Sequence, residues 1–430
     1  MEDKRTLTQE EHRIVWPRIC ARGPGSRWAA GLAGRRNVGA RRRKIQASDL
    51  QGFKYFQLIP ELLETLREVG TERDKAGNRE FFCDHYLSLL LLYFFSPVVT
   101  SFNGLREATE LEKVQKQLGI PRVSIGTLSE AGSVFDPTPV QHIIRELAGQ
   151  ALPLHQGREA EALRGLTAVD GSVLNALPRM AWALWQDENH RGLKLHLHFD
   201  VFTGTPRQAT VTAAACSEPA ELQANLEAHR LYVIDRGYQD YSLYRAILDA
   251  QSSFIGRVKD NIAYVVQEER ELTPEAREAG VIRDVVLSRL GTSHHKDELR
   301  RPVRLVVVAA TGDDGKPYEL WLITDRLEMP ADLIALGYRY RWTIELFFRW
   351  LKSILGVRHL ISDKQNGVTM QLYAALIASL LIVLWTGLKA NKRTWEMVQF
   401  YFMGWATAEE LDRHIRQQHE RQQRAAAKRS

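Results

Sequence analysis

The sequence contains few cysteines and no apolar segment near its start. Its 430 residues include three cysteines, Cys20, Cys83 and Cys216, which lie far apart and form no Cys-x-x-Cys pair. This distribution excludes a disulfide scaffold and a cysteine-ligated zinc site, and it favours a reducing compartment. The first 30 residues have no apolar core of a signal peptide. We therefore expect a cytoplasmic protein.

Long hydrophobic runs are also scarce, and only two segments need to be considered as membrane spans. The segment 86–95 is stopped by Pro97 and is too short to cross a bilayer. The segment 372–388 is longer, but Ser379 and Thr386 interrupt it. The sequence favours a buried core helix at 372–388 over a membrane contact.

The middle of the chain has no net positive charge, and the excess of basic residues is concentrated at the two ends. Residues 1–50 contain 12 Lys/Arg against 5 Asp/Glu, and residues 413–430 contain 6 against 1, although the whole chain carries a net charge of only +6. Basic ends on an acidic body suit a polyanionic partner and cation-binding carboxylates. The globular composition and the length predict two or three domains.

Residues 1–48 are predicted to be a basic, disordered arm, because they have no helical or alternating period and are rich in Gly and Arg. Two interpretations of this arm compete. It either adds non-specific phosphate contacts or results from a start codon placed too early. Trp16, Cys20 and Trp28 among Gly-Arg stretches slightly favour the second interpretation.

Residues 49–160 are predicted to form a helical, DNA-binding N-terminal region. Apolar residues recur at three- and four-residue spacing over 58–69, 79–95 and 103–118. The last of these helices is expected to end at Gly119, and Ser124 is placed to cap a second short helix that runs to Phe135. A helix–turn–helix pair of this kind is a weak signal for DNA binding, and simple packing is the more common explanation.

From Gly165 onwards the pattern changes to strands. Strands are predicted at Leu166–Leu177, Leu193–Val201, Arg207–Ala215, Leu231–Ile234 and Ser253–Val258, with helices at Glu218–Arg230 and Asp240–Gln251. Three strands followed by strand–helix alternation is the order of an α/β, ribonuclease-H-like sheet. A β-rich insertion is predicted at about 260–330, followed by helices at 331–355 and 368–388. The domain would span 161–390 and precede a basic C-terminal tail at 391–430.

Two aspartates follow apolar strands. Asp170 comes directly after Leu166–Val169, and Asp235 comes directly after Leu231–Ile234. Aspartate is common in turns, so each residue taken alone fits the end of a strand better than it fits a function. The repetition of the pattern makes a functional sheet edge more plausible than two coincidental turns.

A polar stripe on the helix predicted at 331–355 supports a functional interpretation. Tyr338, Arg341, Glu345 and Lys352 are spaced so that an uninterrupted helix would hold them within an arc of about 60°, and Arg349 joins them. Apolar residues occupy the other faces. A carboxylate, a phenol and three cations in one stripe suit a metal and a phosphate held side by side. The alternative is an amphipathic surface helix with an internal ion pair.

Two weaker features remain open. His196, His198 and Asp200 alternate along one predicted strand, so they form either a metal triad or a sheet surface that is exposed or faces DNA. Arg236 follows Asp235 directly, and it either reaches a phosphate or pairs with that acid.

The spacing Tyr338-x2-Arg341-x3-Glu345-x6-Lys352 matches the signature of the insertion sequence four family of bacterial DDE transposases. Asp170-Gly171-Ser172 and Asp235-Arg236-Gly237-Tyr238 resemble the blocks that carry the first two catalytic acids of that family. The resemblance covers about 95–390. It departs from some relatives at Leu320, where they have a base-stacking Trp.

The resemblance implies that Asp170, Asp235 and Glu345 are the catalytic acids and the ligands of two Mg²⁺ ions, with Mn²⁺ as a substitute. It also implies that Arg341 and Lys352 hold phosphates, with Tyr338 donating a hydrogen bond to the same DNA backbone. Arg349 and Arg236 are further candidates for DNA contact.

The implied activity is cut-and-paste transposition. The enzyme would cleave the inverted-repeat ends of an insertion sequence and transfer the strands into target DNA, acting as a homodimer in a synaptic complex in the bacterial cytoplasm or nucleoid. The sequence leaves two alternatives open: a related metal-dependent nuclease without strand transfer, and a catalytically dead DNA-binding remnant of an element.

Overall fold

The structure is a computed structural model that describes residues 60–74, 77–154, 157–177, 179–187, 190–291, 299, 301–312, 314–355 and 360–427. The predicted basic arm at 1–48 lies outside the described residues. The described chain divides into two compact units. The first unit contains 157–168 and 218–341, and the second unit contains the described residues before 157 together with 169–217 and 342–427.

The first unit combines a sheet with short helices. In chain order its elements are α7 (Arg158–Ala162), the start of β1 (Leu166–Asn175), α8 (Glu218–Ala224), β5 (Leu231–Ile234), α9 (Tyr241–Asp249), β6 (Ser253–Val258), β7 (Tyr264–Glu269), α10 (Pro274–Glu278), β8 (Val281–Leu290), β9 (Val303–Thr311), β10 (Pro317–Thr324) and α11 (Ala331–Arg339). The first three residues of β1 belong to this unit.

The strands of the first unit follow the spatial order β1-β5-β6-β10-β9-β8-β7. β1, β5 and β6 are parallel, with Ala168 opposite Val233 and Ile234 opposite Gly256. β10 is antiparallel to β6, and β9, β8 and β7 continue the antiparallel pairing. The segment predicted as a β-rich insertion therefore forms four strands that extend the sheet through β10.

The parallel part of this sheet is built from short, fully buried strands. All four residues of β5 are buried, as expected for a parallel strand covered on both faces. β5 stops at Asp235, whose carboxylate accepts a hydrogen bond from the Gly237 N–H at 2.7 Å and so begins a 3₁₀ turn. Asp240 caps the following helix by accepting from the Ser242 N–H at 2.8 Å. The predicted strand boundaries at 231–234 and 253–258 are confirmed.

The second unit is mostly helical. Its elements are α1 (Pro60–Glu64), α2 (Cys83–Phe95), α3 (Phe102–Ala108), α4 (Glu112–Leu118), α5 (Ile125–Val134), α6 (Thr138–Gln150), the rest of β1, β2 (Leu184–Asp187), β3 (His190–Asp200), β4 (Thr205–Ala213), α12 (Trp342–Leu355), α13 (Gln365–Thr386), α14 (Lys392–Phe402) and α15 (Ala408–Ala427). β3 and β4 form an antiparallel hairpin, with Leu193 opposite Ala213. The two units together give a mixed α/β fold with a large sheet.

The long apolar helix α13 is the core of the second unit. It packs against α2, α5, α6 and β4. Among the described helices it is the only one long and apolar enough to cross a membrane, but 94% of its most apolar window is buried inside the protein. The prediction of a core helix at this position is confirmed.

α5 crosses α13 at two glycines. A Cβ atom on Gly367 would lie 2.3 Å from the Ser362 Oγ and 3.1 Å from the Gly132 Cα, a distance that no side chain tolerates. Glycine is therefore required for this close helix contact. The predicted cap of α5 is also confirmed, because Ser124 accepts a hydrogen bond from the Thr127 N–H at 3.0 Å.

Two of the predicted N-terminal helices are shorter or divided. The segment 58–69 is helical only at Pro60–Glu64 within the described residues, and the segment 103–118 forms α3 and α4. The break follows Thr109, whose hydroxyl donates to the Arg106 carbonyl and accepts from the Val123 N–H. A side chain that satisfies the last carbonyl groups of a helix favours its termination there.

One prediction near the C-terminus also needs correction. The helix predicted at 331–355 is interrupted at Tyr340 and Arg341, because the Arg341 N–H bonds to the Tyr338 carbonyl three residues back rather than four. The basic tail at 391–430 folds as α14 and α15 in its described part, with Trp395 and Leu411 buried.

Candidate active site

The second predicted acid, Asp235, lies at the carboxyl end of β5 in the first unit. It is half-buried, and one of its oxygens is held by the Gly237 N–H at 2.7 Å. A turn that begins on the carboxylate fixes its orientation at the end of the strand. Arg236, the next residue, is exposed. The structure therefore places Asp235 in a fixed position and leaves the Arg236 guanidinium accessible to solvent.

Tyr338 and Arg341 belong to the same unit and interact with each other. Tyr338 is 2% exposed, and its side chain is hydrogen-bonded to that of Arg341. Burial raises the pKa of the Tyr338 phenol, the charges of Arg341 and Arg257 lower it, and Asp235 raises it further. The phenol thus lies within the electrostatic field of an acid and two arginines, and it supports the Arg341 side chain.

Arg257 is a residue that the sequence analysis missed. It lies on β6, one residue beyond Gly256, and Gly256 pairs with Ile234 directly before Asp235. Its guanidinium lies 5.9 Å from the centre of the Tyr318 ring. An Arg inside a short apolar strand is a weak signal in sequence, and only the strand register shows that Arg257 and Asp235 occupy equivalent positions.

Beneath this group lies Tyr244, which is fully buried and stacks on Phe254 with ring centres 4.7 Å apart. Burial raises the pKa of the Tyr244 phenol. The nearby groups Tyr241, Asp240 and Asp235 raise this pKa further. The Tyr244 ring therefore forms the apolar support of the Asp235 end of the sheet.

The other two predicted acids lie in the second unit. Asp170 is half-buried within β1, and one of its oxygens accepts from the Gly171 N–H at 2.8 Å. Its position inside a strand excludes the interpretation of Asp170 as a turn residue. Glu345 is half-buried in the first turn of α12.

Lys352 is linked electrostatically to Asp170. Lys352 is half-buried near the end of α12. Burial lowers the pKa of the Lys352 ammonium, and the negative charge of Asp170 opposes that shift. The structure thus brings one predicted acid and one predicted phosphate-binding cation into the same local field.

The predicted polar stripe does not lie on one helix. Tyr338 lies on α11, Arg341 lies in the turn, and Glu345, Arg349 and Lys352 lie on α12. Most of the apolar residues on the other faces of α12 are buried, including Ile344 and Leu351, whereas Leu346 is 47% exposed. Arg349 is exposed, whereas Phe347 and Trp350 are buried and pack on each other.

The alternative metal triad is not supported. His196, His198 and Asp200 are all buried, so the prediction of an exposed sheet surface is wrong. The Asp200 carboxylate accepts from the backbone N–H groups of Phe202 and Thr203 and so closes the β3–β4 turn. Burial, together with the charge of Lys194, lowers the pKa of His196 to about 4.

Within the residues that the structure describes, no group of three or more His, Cys, Asp or Glu side chains is arranged to hold a metal ion. Asp170, Asp235 and Glu345 nevertheless offer the hard carboxylate oxygens that Mg²⁺ prefers. Leu320, the position of the base-stacking Trp in some relatives, is fully buried and cannot stack on a base.

Comparison with known proteins gives a consistent result. Residues 161–381 match the family model of the transposase DDE domain. A putative transposase of Sinorhizobium fredii is 30% identical over 259 residues, which cover 59% of this chain and 68% of the relative. A probable transposase for insertion sequence element IS5377 of Geobacillus stearothermophilus is 23% identical over 328 residues, which cover 75% of this chain and 84% of the relative.

Among solved structures, the chain is similar to a piggyBac transposase in a synaptic complex with hairpin DNA. The similarity has a TM-score of 0.40 and 11% sequence identity, and it covers 87% of this chain and 82% of that one.

Proposed function

The chain belongs to the DDE transposases of insertion sequences, and on this basis we propose that it cleaves the inverted-repeat ends of its element and transfers them into target DNA. The proposed catalytic core is ribonuclease-H-like and spans 161–390. The parallel order of β1, β5 and β6 supports that fold, with β7–β10 as its insertion.

One observation carries the proposal, namely the match of residues 161–381 to the family model of the transposase DDE domain. That range contains Asp170, Asp235 and Glu345. Asp170 lies inside β1, and Asp235 directly follows the fully buried strand β5. Each of these two carboxylates is held by a backbone N–H group of its own unit.

The donor chemistry of the three acids fits a divalent metal. Asp170, Asp235 and Glu345 are half-buried carboxylates, and they would hold two Mg²⁺ ions, for which Mn²⁺ is a substitute. When bound, such a metal pair stabilises the attacking and the leaving oxygen of an in-line phosphoryl transfer. The backbone N–H groups of Gly171 and Gly237 each orient one carboxylate oxygen of Asp170 and Asp235.

The cations near these acids would hold the DNA backbone. Arg341 is oriented by Tyr338, and an oriented guanidinium binds phosphate in a bidentate way. Lys352 would add a point charge beside Asp170, and Arg257 would act from the end of β6. Arg236 and Arg349 are exposed and would contact phosphates further from the reaction. Tyr338 would act on DNA through Arg341 or by donating its hydroxyl once the DNA is bound.

The proposed partners are the element ends and the target DNA. We further propose that two copies of the chain assemble in a synaptic complex in the bacterial cytoplasm or nucleoid. The helical region at 49–160 would contribute to end recognition, because α5 packs on α3 and α13 and presents exposed Ser129 and Ser133.

The test uses linear DNA that carries the native element ends, with Mg²⁺ and, separately, with Ca²⁺. Asp170→Asn, Asp235→Asn and Glu345→Gln should each abolish cleavage in Mg²⁺ while the complex with end DNA survives in a gel shift. Asp249→Asn, an exposed acid at the end of α9, is the control and should cleave normally. Normal nicking by any one of the three site variants would remove that acid from the catalytic group.

The same assay separates the alternatives. A metal-dependent nuclease without strand transfer would cleave the ends but leave them unjoined to target DNA. A catalytically dead remnant would bind the ends without cleaving them in either metal. Joined products that depend on all three acids would exclude both alternatives.

A further inference from the structure

The C-terminal helices α14 and α15 form a helical hairpin with a defined inner side. Asn391 caps α14 by accepting from the Thr394 N–H at 3.0 Å. Thr407 and Glu410 exchange hydrogen bonds at the start of α15, which is the arrangement of a capping box. Leu411 and Ile415 are buried on the inner side of α15. The hairpin is therefore an ordered element with a fixed outer side.

The outer side carries cations of two kinds. Arg416 and Arg424 form ion pairs with Asp412 and Glu420, each one helical turn earlier. Pairs of this kind are a common feature of solvated helices and are satisfied within the helix itself. The two ion-paired arginines can therefore be compared with the other arginines of the same hairpin.

Arg393, Arg413 and Arg421 differ from this reference. All three are exposed, and none forms an ion pair with an acid in the part of the chain that the structure describes. An exposed guanidinium that is not neutralised locally keeps its full attraction for an external anion. Three such groups on one hairpin create a positive surface.

His414 shows that two of these arginines converge. Its Nε2 lies 3.4 Å from the Thr394 Oγ1, which joins α15 to the start of α14 next to Arg393. Arg421 is seven residues after His414, so both lie on one face of α15. Burial, together with the charges of Arg421 and Arg393, lowers the pKa of His414. The positive charges of two arginines, one on each helix, therefore act on the same imidazole of the hairpin.

We propose that the hairpin of α14 and α15 is a binding site for the phosphate backbone of duplex DNA, separate from the acids and independent of base sequence. Arg393, Arg413 and Arg421 are its contacts. Arg393 and Arg421 both act on His414, and neither forms an ion pair within the described residues, so they repel each other and a polyanion relieves that repulsion. Arg matches phosphate oxygens with two parallel N–H donors. The inference rests on the proposed function only in taking DNA as the polyanion.

The test compares a triple variant of the full chain with a double variant. One removes the three arginines without an acidic partner (Arg393→Gln, Arg413→Gln, Arg421→Gln), and the matched control removes the paired ones (Arg416→Gln, Arg424→Gln). Affinity for two duplexes, one with an element end and one of unrelated sequence, is measured between 50 and roughly 200 mM salt, a range over which phosphate contacts dominate. Unfolding by circular dichroism confirms that both variants fold.

The triple variant should flatten the slope of log K against log salt by about two to three units on both duplexes, since each phosphate contact contributes about 0.9 units. The paired variant should change it by less than about one unit. A third variant with Lys at the same three positions should restore the slope, because it restores the charge. An effect of the triple variant no larger than that of the control, or confined to the element end, would overturn the proposal.

Failure of this inference and failure of the proposed function give different results. If the triple variant binds both duplexes as the parent chain does and still cleaves element ends, the hairpin is not a DNA site but the transposase assignment stands. If the acid variants cleave normally, the proposed catalytic group is wrong whatever the salt dependence of the hairpin variants.

Discussion

Tyr338 shows how tertiary packing changes the role that a residue has in a sequence signature. In sequence it stands three residues before Arg341 and suggests a direct hydrogen bond to DNA. In the structure it is almost fully buried, and its hydroxyl group interacts with the guanidinium of Arg341. Its observed contact is thus with a cation, and the orientation of a guanidinium determines whether Arg binds phosphate through two donors or one.

We predict that Arg341→Ala and Lys352→Ala each weaken the complex with end DNA. The slope of log K against log salt should flatten by about one unit for each lost contact. Arg277→Ala, an exposed arginine on α10, is the control and should leave the slope unchanged. The measurement is a salt titration of end binding. A slope equal to that of the parent chain in both variants would assign these cations to structure alone.

At the scale of elements, the crossing of α5 and α13 illustrates a constraint that no periodicity reveals. α13 is buried over nearly its whole length, so its apolar residues show no preferred face. The closest approach is made by Gly132 and Gly367, where a Cβ atom would collide with the Ser362 side chain and with backbone. The helix capped by Ser124 is thereby fixed against the core helix.

We predict that Gly367→Ala destabilises the protein, because the new methyl group would lie 2.3 Å from the Ser362 Oγ. The expected cost is about 1 to 3 kcal/mol, which is typical of overpacking. Gly149→Ala is the matched control, since it lies in α6 with no atom within 4 Å of its Cβ position. That control should be neutral or more stable by up to about 1 kcal/mol. Urea unfolding monitored by circular dichroism measures both, and equal midpoints for the two variants would contradict the prediction.

The break between α11 and α12 is a second structural feature that helical periodicity does not reveal. Tyr338 and Glu345 lie on two helices joined by a turn at Tyr340 and Arg341. Neither proline nor glycine marks that turn in the sequence. Helical spacing across 331–355 is compatible with one long helix, and only the backbone hydrogen bonds show that it ends.

For the whole molecule, the distribution of charge distinguishes contacts that a basic N-terminal arm would make with DNA from contacts that the described core would make. The first 50 residues contain 12 Lys/Arg, whereas the buried core of the described chain begins at Leu66. Contacts made by a basic arm would be non-specific and strongly dependent on salt. End recognition would instead require the ordered elements.

We predict that a chain starting at Ala47 folds, binds element ends and transposes at a rate similar to that of the full chain, because it keeps every element and every buried residue of the described core. Transposition frequency in cells and end binding at physiological salt are the measurements. The C-terminal triple arginine variant serves as the comparison, since it is expected to lose salt-dependent binding. Loss of end binding on truncation would show that residues 1–46 are a working DNA contact.

The sequence by itself determined the order of strands and helices in the sheet, the core character of α13, and the cap at Ser124. These features depend on local periodicity and on side chains that act on their own backbone, so neighbouring residues are sufficient to predict them. It also determined the family, through the spacing of Tyr338, Arg341, Glu345 and Lys352 and through the match over 161–381. The role of each residue in that signature stays a prediction.

The tertiary structure alone decided the position of Arg257, the burial of Tyr338, the helix break at Arg341, and the folding of 391–427 into a hairpin with partnered and unpartnered arginines. Each of these depends on contacts between residues far apart in sequence, or on backbone hydrogen bonds that side-chain periodicity does not report. The register of the neighbouring strands β5 and β6 places Arg257 and Asp235 at equivalent positions. A charge count identified the basic C-terminus, but only the structure showed that Arg416 and Arg424 form ion pairs within α15.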